Sequence, residues 1–211
     1  MHKSLTLVVF FVFFGGNLIL VGHVPLKGKV ADTSILFVGN SLTYTNNLPL
    51  LVKKEAASKG IILKVNQLAL PNYAISDHLG DGKVQDLILS GAYDFVILQQ
   101  GPSSQPFGRD ILMTSGAEYK KLCDQAGSKL AFFMVWPSLK YYHTFDGVIS
   151  NYKKAANECG AILCPVGAYW KQNIENSNDY SYYGPDGFHP SLKGSRIAAK
   201  IIVKSLFKNP N

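Results

Sequence analysis

Five short apolar runs, separated by stretches of helical periodicity, constrain this chain more than any other feature. They are Ile35–Val38, Ile61–Asn66, Phe95–Leu98, Lys129–Val135 and Ala161–Cys164. Short runs dominated by Ile, Leu, Val and Phe suit strands buried on both faces of a sheet. Between and after them, Leu48–Ser58, Ser76 to about Ser90, Arg109–Ala126, Phe145–Cys159 and Ser191–Phe207 repeat their apolar residues at helical spacing. Strand and helix in alternation predict a five-stranded parallel sheet with helices on both faces. Only Pro165–Phe188, rich in Gly, Asn, Pro and Tyr, reads as irregular. Of the 211 residues, 47% are hydrophobic and 17% charged, which suits one domain with a sizeable core plus an N-terminal extra.

The extra is the first 22 residues. A basic start, His2-Lys3, precedes Leu5–Phe14, which is almost solidly apolar, and the run resumes after Gly15-Gly16-Asn17. This is the shape of a signal peptide or of an N-terminal membrane anchor through residues 5–22, so the protein reads as exported: periplasmic, secreted or membrane-anchored. Residues 23–33 read as a linker, and the folded domain as 34–211. The net charge is +7, but its paired lysines, Lys53-Lys54, Lys120-Lys121 and Lys153-Lys154, fall on amphipathic helices and read as solvated faces. No nucleic-acid partner follows, and neither a P-loop nor a dinucleotide fingerprint is present. The three cysteines, Cys123, Cys159 and Cys164, make no disulfide framework and no metal spacing, and read as buried thiols.

In a parallel α/β sheet the functional loops gather outside the C-terminal strand ends. Here those tips are Gly39-Asn40-Ser41, the loop around Pro71-Asn72, Gln99-Gln100-Gly101, Trp136-Pro137 and the loop carrying Asp186 and His189. Ser41 ends a buried strand and starts a helical stretch. It is either a helix cap or a nucleophile near the positive end of a helix. A serine hydroxyl is a poor nucleophile until a base takes its proton. Of the five histidines, His189 alone has a carboxylate three residues earlier on a Gly-containing turn, with Pro190 fixing the chain after it. Asp186 can hold one imidazole nitrogen there while the other reaches a serine on another loop. Asp77 and His78, side by side on a helix, diverge and read as structural.

Gly39–Thr43 (GNSLT) and Asp186–Ser191 (DGFHPS) resemble the first and last motif blocks of the SGNH/GDSL hydrolases. Val96–Ser104 (VILQQGPSS) is similar to a bacterial branch in which a Gln-containing run replaces the usual Gly-x-Asn-Asp block. The resemblance runs from about Ser34 to Leu206. It implies a flavodoxin-like three-layer α/β/α sandwich and serine ester hydrolysis through an acyl-enzyme, with no metal or organic cofactor. It assigns Ser41 as nucleophile, His189 as base and Asp186 as the residue that orients it.

The oxyanion donors depart from the family pattern. The second-block glycine is replaced by Leu70-Pro71-Asn72-Tyr73, and the third-block asparagine by Gln99-Gln100. Asn72 and Gln100, or Gln99, are the replacement amides. Tyr44, Tyr73 and Trp136 lie near strand tips and are candidates for a substrate-stacking surface. The expected substrate is a short-chain acyl, such as acetyl, ester of a carbohydrate or related envelope molecule. Two other readings stay open: a catalytically weak or inactive carbohydrate-binding domain on the same scaffold, and an O-acyltransferase.

Overall fold

A computed structural model describes residues 32–207. The leader expected at 1–22 and most of the linker lie outside those residues. The first strand starts at Thr33, one residue inside the stretch read as linker.

All five strands are parallel, in the order β2-β1-β3-β4-β5. They are β1 (Thr33–Gly39), β2 (Leu63–Ala69), β3 (Phe95–Leu98), β4 (Lys129–Phe133) and β5 (Ile162–Cys164). This is the expected flavodoxin-like order. Every residue of β3 is buried, as are Ile35, Leu36, Phe37 and Val38 of β1. The unbroken apolar runs of the sequence therefore mark the middle of the sheet. The edge strand β2 is half-exposed and begins two residues later than its Ile-Ile pair suggests. Leu63, Val65 and Leu68 carry its apolar contacts.

The described residues also form eight α-helices, α1 (Ser41–Tyr44), α2 (Leu48–Ala57), α3 (Ile75–Asp81), α4 (Lys83–Leu89), α5 (Pro106–Ala126), α6 (Phe145–Glu158), α7 (Val166–Ser177) and α8 (Leu192–Leu206), and two short 3-10 helices, Thr45–Asn47 and Leu139–Thr144. The helix expected from Ser76 to Ser90 is two, because Gly82 takes a left-handed conformation (φ 80°) and caps α3. α5 starts at Pro106, whose missing N–H costs nothing in a first turn. Helix α7 is a correction, since its residues read as irregular. α2 and α8 pack together on one face, and α4, α5 and α6 pack in a row on the other. Chain direction across the sheet reverses between β1 and β3, so the crevice between their tips is the natural ligand site. Ser41 and Gln99-Gln100 flank that crevice.

Candidate active site

The β1 tip turns sharply into α1. Asn40 caps the helix, its Oδ1 accepting from the Leu42 N–H at 3.2 Å, while its carbonyl accepts from Thr43 and Tyr44. Ser41 is the first residue of α1, so helix geometry leaves its N–H without an intrahelical acceptor. Gly39 is required by close approach. A Cβ there would sit 2.6 Å from both Gln99 Oε1 and Thr43 Oγ1.

Those two groups form a layer beneath the turn. Gln99 Oε1 accepts from the Asn40 N–H and from the Thr43 hydroxyl, each at 2.9 Å. His78, on α3, donates Nε2–H to the Gly39 carbonyl at 2.8 Å. Gln99 and His78 are each 1% exposed. The expectation that His78 is structural fits this placement. Gln99 is corrected as an oxyanion donor: its oxygen faces the backbone of the turn, and its amide nitrogen is sealed inside without a partner. Gln100 also turns its oxygen inward, accepting from the Ile75 N–H at 2.8 Å, and its amide nitrogen is the remaining donor.

The Asp186–Pro190 loop reaches Ser41 from the other side. Asp186 Oδ1 accepts from the Phe188 and His189 N–H groups, each at 2.9 Å. Its Oδ2 accepts from His189 Nδ1 at 2.6 Å. With the Nδ1 proton committed there, Nε2 is an acceptor, and it lies 2.9 Å from Ser41 Oγ, 148 positions away in sequence. The hydrogen bond from His189, followed by that from the Phe188 N–H, holds the Asp186 carboxyl below the usual carboxylate range. Ser41, His189 and Asp186 thus form one chain of hydrogen bonds, with Ser41 and His189 half-buried and open to ligand.

The loop is held at several points. Trp136 donates Nε1–H to the Phe188 carbonyl at 2.9 Å and stacks on Trp170, ring centroids 3.5 Å apart and planes 14° from parallel. Leu139 N–H donates to Gly187, and Gly184 N–H to His189. Trp136 is completely buried, which corrects its reading as a substrate-stacking residue: it braces the histidine loop and offers no face to a ligand.

Tyr44 and Tyr73 are half-buried near the site. Tyr73 packs on His78, and the nearby charge of Asp81 raises its hydroxyl above the ordinary range. Its N–H is spent on Leu70, and its carbonyl accepts from Asn40 Nδ2 at 3.0 Å. Asn72 sits on the same turn, exposed and left-handed (φ 62°), a conformation that Asn tolerates. An apolar cavity of about 430 Å³ opens beside His189, walled by Pro102, Pro137, Tyr141 and Phe188.

Sequence reasoning missed Asn46. Its Nδ2 donates to the Pro190 carbonyl at 2.9 Å and to Ser195 Oγ at 3.0 Å, tying the serine turn to the histidine loop. Asn46 and Asn47 are both left-handed, and Asn47 caps α2. The Asn-Asn pair ahead of Pro49 was the available signal, since this residue type visits that region most easily after Gly.

No protein-family model matches the chain, and no curated protein matches it. Solved structures do. A candidate SGNH hydrolase from Slackia heliotrinireducens matches with a TM-score of 0.71 and 23% identity, over 83% of this chain and 100% of that one. An acetyl xylan esterase matches at 0.66 and 14%, over 82% and 100%. The lipase/acylhydrolase from Enterococcus faecalis matches at 0.64 and 16%, over 82% and 95%. At these identities the likeness is one of fold: the chain has the three-layer α/β/α architecture shared by those hydrolases, esterases and lipases.

Proposed function

We propose that this protein is a serine ester hydrolase. One observation carries the reading: Ser41 Oγ, His189 Nε2, His189 Nδ1 and Asp186 Oδ2 make an unbroken relay of 2.9 and 2.6 Å links at the mouth of the crevice. In this mechanism His189 takes the Ser41 proton as the oxygen attacks the ester carbonyl. The tetrahedral oxygen is met by the Ser41 N–H, with Gln100 Nε2 and the Asn72 amide as further donors. The alkoxide leaves with the proton from His189. A water, activated by the same imidazole, then releases the acid. Asp186 holds the Nδ1 proton throughout, orienting the neutral imidazole and stabilising the imidazolium formed when Nε2 takes the Ser41 proton.

The substrate we favour is a short-chain acyl ester of a carbohydrate, met in or beyond the cell envelope. Two things support it: a sequence leader at residues 5–22 with the character of an export signal, and an acetyl xylan esterase among the fold neighbours. The cavity beside His189 supplies apolar wall for the acyl group or for one face of a sugar ring.

The test is hydrolysis of an aryl acetate by the wild type and by Ser41→Ala, with fluorophosphonate labelling alongside. Expected are labelling at Ser41 and a loss of at least about 10⁴-fold in kcat in the variant. Full activity in Ser41→Ala would refute the reading. An unlabelled wild type without hydrolysis would favour the non-catalytic binding domain.

A further inference from the structure

Helices α2 and α8 both begin at the active-site edge. α2 follows the serine turn, and α8 starts three residues after His189. They pack side by side, and a groove of about 320 Å³ runs between them. Lys54, Arg196 and Lys200 wall the groove, with Leu51 and Ala199 also lining it. Arg196, Lys200 and Lys204 recur every four residues on α8, about 6 Å apart along its axis, and all three are exposed. No acidic residue follows Asp186 in the sequence.

Three cations line this groove against one acid, and none of the three is paired among the described residues. Glu55, the one acid lining it, pairs with Lys59 at 3.3 Å, and Lys193 at the head of α8 is taken by Asp179 at 2.8 Å. Lys54, Arg196, Lys200 and Lys204 make no ion pair among the described residues. Arg196–Lys200 and Lys200–Lys204 are i, i+4 pairs of like charge, which repel. Lys54 and Lys204 at least lie in last turns, where the helix dipole favours cations. Arg196, in the first half of α8, has no such reason to be there.

We propose that this groove docks an acidic polysaccharide and leads it toward Ser41, a reading that rests on the hydrolase function and names its substrate as an ester-bearing anionic glycan. One guanidinium and two ammonium groups lining the groove match carboxylates repeated along a chain, and Arg196 can take one bidentately. The partly exposed Leu51 side chain offers apolar contact to a sugar ring. The groove has no aromatic lining on which bases could stack, which disfavours single-stranded nucleic acid.

The experiment is calorimetric titration of the full-length chain in detergent, at low salt, with polygalacturonate, with neutral xylan and with single-stranded DNA. Two triple variants are compared with the wild type. One is Lys54→Ser/Arg196→Ser/Lys200→Ser. The other, Lys83→Ser/Lys121→Ser/Lys153→Ser, removes equal charge from exposed positions on α4, α5 and α6. The groove variant is expected to lose about tenfold in affinity for polygalacturonate, and the control to stay within about twofold. Aryl acetate hydrolysis is expected to stay within about twofold in both. Equal losses in the two triples, no binding by the wild type, or equal binding of xylan or DNA overturns the proposal. Absence of aryl acetate hydrolysis with groove-dependent binding intact counts against the hydrolase reading and leaves the docking surface standing.

Discussion

Asn46 shows how much one side chain sets the distance between two loops. It spends a left-handed backbone (φ 56°) to aim one amide at both Pro190 and Ser195. Pro190 directly follows His189, so the amide links the serine turn to the imidazole's own loop. Asn46→Ala removes that link and puts a Cβ residue with no compensating polar group into the left-handed region. A fall of about tenfold or more in kcat is expected, since displacements of about 1 Å can cost 10²-fold. Stability should drop by about 1–2 kcal/mol. Asn46→Gly relieves the backbone but still lacks the link, so it should recover stability but not kcat. Parallel recovery of both would show that Asn46 serves folding alone. Gln99 makes the complementary point: a polar side chain at a strand tip looked available to substrate, yet its oxygen accepts from the Asn40 N–H and the Thr43 hydroxyl, and those bonds hold it inward.

Helices α7 and α8 meet at the Trp170 ring, among other contacts. Trp170 of α7 lies between Trp136, on which it stacks, and Gly194 of α8. A Cβ on Gly194 would come within 2.3 Å of the Tyr182 carbonyl oxygen and 2.7 Å of the Trp170 ring. Gly194→Ala is therefore expected to destabilise the fold by about 1–3 kcal/mol. Gly80→Ala, in α3 where a Cβ meets open space, should be neutral or stabilising by up to about 1 kcal/mol. Urea unfolding of the two variants checks the contrast, and equal midpoints would mean that α8 can shift away from Trp170 without cost. The same packing explains why α7 was not legible. Pro165, Gly167 and three asparagines argue locally for a loop, and only Val166, Trp170 and Ile174, at i, i+4 and i+8, carry a helical stripe. Those three are buried against the rest of the molecule, and that burial makes the segment helical.

Across the whole molecule the apolar surface closes over two thiols whose accessibility reports on global opening. Burial pushes Cys123 up to about 12 and raises Cys159 as well, and Cys159 is a free thiol, so no bridge joins it to Cys164. A thiol reagent at neutral pH is expected to leave Cys123 and Cys159 unmodified in the native protein and to modify both in urea. Fast native-state labelling of Cys123 would contradict the buried core described here. The sequence by itself determined the alternation of strand and helix, hence the parallel sheet and the edge at which Ser41, Asp186 and His189 lie, because backbone periodicity and burial are written locally as apolar spacing. Tertiary structure alone decided where several polar side chains far from one another in sequence came to rest. It sent Trp136 beneath the histidine loop, turned Gln99 inward, joined Asn46 to Pro190 and set Lys54 opposite Arg196 and Lys200. Such meetings depend on how the crossovers bring distant segments together, and no spacing along the chain encodes that.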